Sequence, residues 1–418
     1  MKYAELFSPD AGAARDQVLD QMRRDDPIYW CEHESLRAWI ITAYEDVYNL
    51  FMDERLRFGS ARGELMKQSE EEQREFRPFI DALDHSMSYM PRERHKRLQK
   101  LLLESLSMKE LKTLEPHIRL IIDQVIGDIA TDKVVNLVSR FSYPIPAYVI
   151  ANLVGIPDQD RQQFIEWTAA LEAVFWPYDY DRFYRASHSL TAMMDYFRDL
   201  MPATVDRGAN TFLARFGQAV NNAELTEEEA LVSCAILMFA GHETTASVIN
   251  AGIQLLAEQR PLLELLKTDH TLMPATAAEL LRYKPAVGWM RRTAIEDFEY
   301  KGRHISKGDV LFLGTYAANR DPAYFPDPHR FDIHRQSAHA SMTFGAGRHF
   351  CLGAALAKME IELALSGLIE AFPDLDIEPS QIKCSPTRLL MQTVTDLPLT
   401  PRHPAAESNT PRPDEMMV

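Results

Sequence analysis

Cysteine is scarce in this chain, which narrows the kinds of site it can build. Only 4 of the 418 residues are cysteine, and the positions, Cys31, Cys234, Cys351 and Cys384, include no CxxC spacing. This excludes a multi-cysteine zinc or iron–sulfur site and favours a reducing compartment, so we predict a cytoplasmic protein. If a metal is bound here, a single cysteine binds it and a cofactor must supply the other ligands.

Positive charge and long apolar runs are also in short supply. The chain has 45 Lys and Arg residues against 61 Asp and Glu residues, a formal net charge of −16. A general nucleic-acid binder needs a basic footprint, so nucleic acid is excluded as a partner. No stretch reaches the apolar length expected of a bilayer span, and the N-terminus does not resemble a signal peptide. We therefore expect no membrane partner.

The length allows two or three domains, or one large and mostly helical domain. No internal repeat and no linker divides the sequence, so we expect a single domain over residues 1–400. Residues 401–418 are polar and rich in proline, which predicts a disordered tail. Hydrophobic spacing is helical over most of the chain, and we expect β-rich parts near residues 27–60, 289–315 and 384–398. The predicted fold class is mainly α with a small β region.

The glycine-rich decapeptide at residues 344–353, FGAGRHFCLG, precedes a strongly helix-forming run. A cysteine at the start of a helix lies near unpaired backbone N–H groups and the positive end of the helix dipole, and both favour a thiolate. Cys351 is therefore a candidate metal ligand or nucleophile. A buried free cysteine in a packed turn is the alternative, and the decapeptide alone leaves both interpretations open.

A long apolar helix is predicted over residues 227–260, with the unusual segment AGHETT at residues 240–245 in its centre. Glycine, an acid and paired threonines are poor choices for a buried helix interior. One interpretation is a kinked core helix with a satisfied polar cluster. We favour a groove for a small molecule, with the acid Glu243 and the hydroxyl of Thr244 aimed at it.

Two further patterns are weak on their own. Glu279 and Arg282 share one helix face, as many surface pairs do. The run at residues 92–100 has five basic residues and one acid, which fits either a solvated face or a patch that attracts an acidic partner.

Taken in this order and spacing, the motifs resemble those of the cytochrome P450 family in its soluble bacterial form. The FGxGxHxCxG pattern is matched at residues 344–353 and is highly specific. AGxET is matched at residues 240–244, ExxR at residues 279–282 and NRDP at residues 319–322. The resemblance extends from about residue 27 to residue 398. It implies a triangular-prism fold with haem between the long central helix and the cysteine-loop helix.

The resemblance also implies the cofactor and the residues around it. Cys351 is the expected thiolate ligand of a haem b iron, and Glu279 with Arg282 is an expected buried structural pair. The expected cofactor-binding residues are His95, Ala240, Gly241, Arg292, Phe344, Gly345, His349, Cys351 and Gly353. One position departs from the family pattern: many relatives have HxxxR, but here His95 is followed four residues later by Gln99.

The implied activity is that of a monooxygenase. Glu243 and Thr244 resemble the acid–alcohol pair that supplies protons during O2 activation. We expect hydroxylation or epoxidation of a bulky, largely apolar small molecule, in bacterial secondary metabolism. The alternatives are the same haem chemistry used for oxidative coupling, desaturation or peroxygenation, or a non-catalytic haem-binding protein that recruits a carrier protein.

The expected partners are the substrate, either free or attached to a carrier protein, and an electron-transfer chain. Electrons are expected from NAD(P)H through a separate ferredoxin and ferredoxin reductase, docked on residues 92–100 with Arg348 and Lys358. The expected substrate-pocket residues are Phe175, Trp176, Met238, Val287, Trp289 and Met290.

Overall fold

The computed structural model describes residues 14–33, 36–59, 61–171, 178–384 and 394–401. The α-helices in these ranges are α1 (Ala14–Asp25), α2 (Tyr44–Met52), α3 (Ala61–Leu65), α4 (Glu70–Glu75), α5 (Arg77–Asp84), α6 (Arg92–Ser105), α7 (Met108–Ile129), α8 (Pro144–Val154), α9 (Arg161–Leu171), α10 (Tyr180–Asp206), α11 (Phe212–Asn221), α12 (Glu227–Glu258), α13 (Arg260–Thr268), α14 (Met273–Tyr283), α15 (Thr315–Ala318) and α16 (Ala354–Ala371).

The strands are short. They are β1 (Ile28–His33), β2 (Leu36–Ile41), β3 (Leu56–Phe58), β4 (Val135–Asn136), β5 (Met290–Ala294), β6 (Phe298–Tyr300), β7 (Arg303–Ile305), β8 (Val310–Leu313), β9 (Lys383–Cys384), β10 (Val394–Asp396) and β11 (Pro398–Leu399). The strand positions follow the three β-rich parts expected from sequence, except that β4 lies outside them. The single-domain expectation stays a prediction, and residues 402–418 of the expected tail lie outside the described residues.

One five-stranded sheet joins the N-terminal strands to those that follow α14. Its strand order is β1-β2-β8-β5-β3, and β2 pairs with β8 in parallel while the other neighbours are antiparallel. Because β3 pairs with β5, Phe58 lies opposite Arg292. The sheet therefore brings Phe58 and Arg292, which are far apart in sequence, next to each other.

Helix α12 forms the centre of the helical part. It begins at a capping box in which Thr226 and Glu229 satisfy each other's backbone N–H groups. It continues without interruption through residues 240–245, where we expected a possible kink. A Cβ at position 241 would lie 2.9 Å from Cγ1 of Ile150, so glycine lets α8 approach closely.

The length and composition of α12 meet the criterion for a membrane span, which corrects the expectation that no stretch would do so. In its most apolar 18-residue window, 67% of the residues are buried within the protein. An apolar helix covered on most sides by other helices is typical of the core of a large protein.

A buried ion pair connects α14 to the coil that leads to the cysteine loop. Arg282 donates from Nε and Nη2 to the two carboxylate oxygens of Glu279 at 2.8 and 2.7 Å. Nη1 of Arg282 also donates to the carbonyl oxygens of Asn319 and Pro328, each at 2.9 Å. Since both members of the pair are buried, this arrangement holds the coil against α14.

We expect Arg282→Gln to lower the free energy of unfolding by about 3–5 kcal/mol, because it leaves the Glu279 carboxylate buried without its main partner. Chemical denaturation of the purified protein measures this change. Lys267→Gln is a matched control, since Lys267 pairs with Glu264 at the same i,i+3 spacing on the surface. The control should change stability by less than about 1 kcal/mol. Equal losses in the two variants would contradict a special role for the buried pair.

Candidate active site

A cavity of about 370 Å³ lies between α12 on one side and the cysteine loop with the start of α16 on the other. Other side chains that line it come from α6, α8, α11, α14, β3 and β5. The apolar residues around it include Leu98, Leu102, Ile236, Leu237, Val248, Val287, Met290 and Leu356. Most of the sequence-predicted cofactor-binding residues meet here: His95, Ala240, Gly241, Phe344, His349, Cys351 and Gly353 all line the cavity.

The cysteine loop is held in shape by backbone conformation and packing. Gly345 and Gly347 adopt positive φ values of 69° and 72°, which a residue with a side chain rarely adopts. A Cβ at position 347 would lie 2.9 Å from Sδ of Met52, so the loop packs closely on α2. The backbone N–H of Cys351 donates to the carbonyl oxygen of Phe344 at 3.0 Å and closes the loop. Gly345 supports the loop without lining the cavity.

The Cys351 side chain is exposed to the cavity, yet burial raises the pKa of its thiol above the ordinary value. A hydrogen bond from the backbone N–H of Gly353 acts in the opposite direction and lowers the pKa. The expectation that the helix start alone would favour a thiolate is thus incomplete, because desolvation dominates in the protein by itself. A cation bound to the sulfur would reverse this balance.

One stripe of α12 faces the cavity. Its residues are Ser233, Ile236, Leu237, Ala240, Gly241, Thr244, Thr245 and Val248. The hydroxyl of Thr244 donates to the carbonyl oxygen of Ala240 at 3.2 Å, one turn earlier in the helix. Thr244 therefore lies where the sequence analysis expected it, on the wall opposite the cysteine loop.

Glu243 points elsewhere. It is not among the residues that line the cavity, and its Oε2 accepts a hydrogen bond from the hydroxyl of Tyr143 at 3.2 Å. The Tyr143 ring also packs edge-on against His242, with 4.2 Å between ring centroids. Glu243 lies beside Thr244 in the helix and faces the segment just before α8, and the catalytic role expected for it stays a prediction.

Four basic side chains gather at one edge of the cavity. The rings of His95 and His349 meet edge-on at 5.1 Å, and Nε of Arg348 donates to Nε2 of His349 at 3.0 Å. Arg292 is not among the residues that line the cavity; it is buried behind them, with its guanidinium 5.1 Å from the ring centroid of Phe58. Within the described part of the chain, no salt bridge to a carboxylate is recorded for any of the four. We call His95, Arg292, Arg348 and His349 the cationic edge.

Mutual repulsion and burial depress the basicity of the cationic edge. The pKa of His349 is lowered to about 3 by desolvation and by Arg292, Arg348 and His95. Burial lowers the pKa of Arg292 to about 10, and burial together with Arg348 lowers that of His95. Both histidines are therefore neutral at pH 7 and both arginines are charged. An edge with two charged arginines and no ion-paired carboxylate suits an anionic ligand group.

The expected substrate-pocket residues divide into three groups. Val287 and Met290 line the cavity. Trp289 does not line the cavity and packs with Phe312 in a separate core cluster. Neighbouring side chains of an extended segment point to opposite sides, so Trp289 faces away from Met290. Met238 is likewise displaced from the cavity-facing stripe of α12 and packs in the core. Neither Trp289 nor Met238 lines the cavity, and Phe175 and Trp176 lie outside the described residues, so the assignment of these four residues to a substrate pocket stays a prediction.

Aromatic residues that follow the undescribed segment contact the helices near residues 70–84. The Tyr178 hydroxyl donates to Oε1 of Glu72 at 2.7 Å, and the Tyr180 hydroxyl donates to Oε1 of Glu75 at 2.8 Å. The Phe79 and Phe183 rings meet edge-on at 6.2 Å. These contacts tie the start of α10 to α4 and α5.

The sequence analysis missed Glu360 of α16, which lines the cavity. Its Oε2 is buried and has no hydrogen-bond partner among the described residues, and desolvation raises the pKa of the carboxyl to about 8. Glu360 is therefore neutral at pH 7 in the absence of a ligand. The available sign was an acid between Met359 and Ile361 in a largely apolar, helix-forming run.

We expect Glu360→Gln to stabilise the protein increasingly as the pH rises. The folded protein retains a proton on Glu360 up to about pH 8, whereas the unfolded chain releases it near the ordinary pKa of 4.5. Stability is therefore lost as the pH rises through this interval, and the neutral isostere removes the loss. The gain in melting temperature should be near zero at about pH 5 and reach several degrees at about pH 8.

Glu370→Gln makes the same change of charge on an exposed part of α16 and serves as the control. Thermal denaturation of wild type and both variants from about pH 5 to pH 8 measures the effect. A gain for Glu360→Gln that does not vary with pH would contradict a proton held at this position.

Comparison with known proteins agrees with the geometry. Residues 12–398 match the family model for cytochrome P450. The polyketide biosynthesis cytochrome P450 PksS of Bacillus subtilis is 31% identical over 86% of this chain and 89% of its own length. The solved structure of myxobacterial cytochrome P450 CYP267B1 with myristic acid has a TM-score of 0.84 and 30% identity, covering 96% of this chain and 99% of that one.

A second solved structure is that of P450BioI in complex with an acyl carrier protein ligated to hexadec-9Z-enoic acid. It has a TM-score of 0.82 and 27% identity, and covers 92% of this chain and 97% of that one. The fold predicted from the motifs is confirmed by these likenesses. The chain belongs to the cytochrome P450 family of haem-thiolate monooxygenases.

Proposed function

We propose that this protein binds haem b through Cys351 and uses O2 to hydroxylate or epoxidise a bulky, largely apolar small molecule in bacterial secondary metabolism. One observation carries the proposal. A single cavity has the Cys351 thiol on one wall and the Thr244 hydroxyl on the opposite wall. In the proposed reaction one oxygen atom of O2 enters the substrate and the other leaves as water, with two electrons from NAD(P)H and two protons.

The residues present fit haem by their chemistry. Haem is a broad apolar ring system with a metal at its centre and two carboxylates on one edge. The cavity offers apolar walls, a thiol exposed to it, and a cationic edge on one side. Arg292 lies close to His349 and Phe58 at this edge, where it would hold a carboxylate. Bound haem would supply the chemistry of oxygen activation.

Thr244 and Glu243 would serve proton delivery in this proposal. The Thr244 hydroxyl lines the cavity and is held by the Ala240 carbonyl, so it is positioned to accept a proton from one side and donate one on the other. Glu243 is the neighbouring acid, and its carboxylate accepts a hydrogen bond from the Tyr143 hydroxyl just before α8. The pair therefore connects the cavity with the region in front of α8 while the apolar walls exclude water.

The apolar lining supports a largely apolar substrate. Val287 and Met290 face the cavity from one side, and Ile236 and Leu237 face it from α12. The two similar solved structures are complexes of those proteins with a fatty acid, myristic acid in one and a carrier-bound hexadec-9Z-enoic acid in the other. These observations favour compounds with long apolar parts, free or attached to a carrier protein.

Labelled dioxygen provides the test of the proposed reaction. A spin-state titration against a library of apolar compounds first identifies a substrate, and turnover with NAD(P)H under labelled O2 follows. One labelled oxygen atom in the product supports monooxygenation. A product without the label would overturn that reaction type in favour of coupling or desaturation, and the absence of substrate-dependent NAD(P)H consumption would favour a non-catalytic protein.

The proposed electron donor is a ferredoxin, reduced by a separate ferredoxin reductase. Its proposed docking residues differ in whether they already form salt bridges within the protein. Arg92, Arg94 and Lys96 form salt bridges with Glu54, Glu229 and Glu93 in the protein itself. Within the described residues, no salt bridge is recorded for Lys100 or Lys358, and both are exposed. Lys358 also lies 5.7 Å from the ring centroid of Phe344, next to the cysteine loop.

We expect Thr244→Ala to uncouple the enzyme, because NAD(P)H consumption continues while proton delivery is impaired. The ratio of hydrogen peroxide formed to NAD(P)H consumed should rise several-fold, and the yield of oxygenated product should fall by about 10-fold or more. Thr244→Ser keeps the hydroxyl and should preserve coupling. Ser247→Ala on the same helix is the control for loss of a hydroxyl outside the cavity, and equal uncoupling by it would refute the role of Thr244.

We expect Lys358→Glu to weaken reduction by an acidic ferredoxin at low salt, since charge complementarity raises the rate of association. The ferredoxin concentration for half-maximal reduction should rise several-fold, and the decline of the rate with added salt should become shallower. Stopped-flow reduction measures both quantities. Lys383→Glu, the same reversal on β9, should leave them unchanged, and identical behaviour of the two variants would argue against docking at Lys358.

A further inference from the structure

Because position 99 is glutamine, this chain lacks a cation at the position where the HxxxR pattern of many relatives has an arginine. Gln99 follows His95 by one helical turn on α6, is half-buried and carries no charge. Unlike His95, Gln99 is not among the residues that line the cavity. A buried carboxylate requires a charged or strongly hydrogen-bonding partner, so the lost charge calls for a replacement on another segment.

Arg348 is placed to provide that charge. It lines the cavity, and its Nη2 donates to the carbonyl oxygen of Met90, just before α6 begins, at 3.2 Å. Its Nε donates to His349, whose ring contacts His95. The guanidinium thus connects the cysteine loop with the segment just before α6 and lies next to the His349 ring that contacts His95.

Arg348 is exposed, as Lys358 is, but the two residues differ in what they contact. Arg348 lines the cavity, and its guanidinium donates to the Met90 carbonyl oxygen and to His349, whereas Lys358 is not among the residues that line the cavity. The described residues include no salt-bridged carboxylate for it. An arginine fork can donate two parallel hydrogen bonds to one carboxylate, which a glutamine at position 99 cannot match in strength.

We propose that Arg348 replaces the arginine missing at position 99 and holds one of the two haem carboxylates, while Arg292 holds the other. Position 348 is a variable one in the FGxGxHxCxG pattern, so the replacement is a property of this chain. The proposal rests on haem at the site but on no particular substrate. If Arg348 holds a haem carboxylate, we no longer expect it to dock the electron donor.

Haem transfer to excess apomyoglobin tests the proposal without any measurement of turnover. We expect Arg348→Gln to release haem roughly 10- to 100-fold faster than wild type, because one charge-assisted hydrogen-bonded contact is lost. Restoring the family arginine in the double variant Arg348→Gln/Gln99→Arg should return the rate to within a few-fold of wild type. Arg57→Gln, a nearby exposed arginine outside the cavity, should release haem at the wild-type rate.

Two outcomes would overturn the proposal. One is a wild-type rate of release from Arg348→Gln. The other is a fast release that Gln99→Arg does not correct, since that would point to a structural role for the bond to Met90. Far-UV circular dichroism of each holoprotein checks that the fold is intact. A wild-type protein without the carbon-monoxide spectrum of a thiolate-ligated haem would instead contradict the proposed function itself.

Discussion

The position of the cysteine loop depends on the hydrogen bonds that the buried Glu279 carboxylate accepts. Besides Arg282, its Oε1 accepts hydrogen bonds from the backbone N–H of Asp332 at 3.0 Å and from Nε of Arg335 at 3.1 Å. One acid thereby ties α14 to two points of an otherwise irregular coil. Such a coil has little secondary structure of its own, so the satisfied carboxylate supplies the order that a helix or sheet would otherwise provide.

The same constraint reaches the loop itself through Asn319. Its Oδ1 accepts from the backbone N–H of Met342, and its Nδ2 donates to Oγ1 of Thr343 at 2.9 Å. Thr343 in turn donates to the carbonyl oxygen of Leu281 on α14 at 2.7 Å. Phe344 follows directly, so the hydrogen-bonded chain from Glu279 ends where the Cys351 loop begins. The thiol is positioned by a continuous polar network on one side and by close packing against α2 on the other.

Motif spacing predicted the parts of the site whose chemistry allows few residue types. The sequence located three such parts because each requires particular side chains. They are the thiol that lines the cavity (Cys351), the hydroxyl that lines it (Thr244) and the buried ion pair of Glu279 and Arg282. Side-chain direction could not be found in this way. Trp289 and Met290 differ by one position and face opposite sides, and only the contacts of β5 decide which meets the cavity. The hydrogen bond between Glu243 and Tyr143 could not be found either, because Tyr143 lies 100 residues away in sequence.

The charge distribution explains how a cationic edge is tolerated inside an acidic protein. Burying uncompensated positive charge is costly, and the protein limits that cost in two ways. Its histidines lose their protons, as the pKa of about 3 for His349 indicates. Arg292 instead lies against the faces of Phe51 and Phe58, each 5.1 Å from the guanidinium carbon.

Both adjustments leave hydrogen-bond donors that are already desolvated and fixed in position. On the proposed role of this edge, the carboxylates of haem would meet donors that need little reorganisation, in a medium where charge-assisted hydrogen bonds are strong. The bound carboxylates would also reduce the repulsion between the charged groups of the cationic edge. The stability of the folded protein and its retention of haem are therefore expected to rise and fall together.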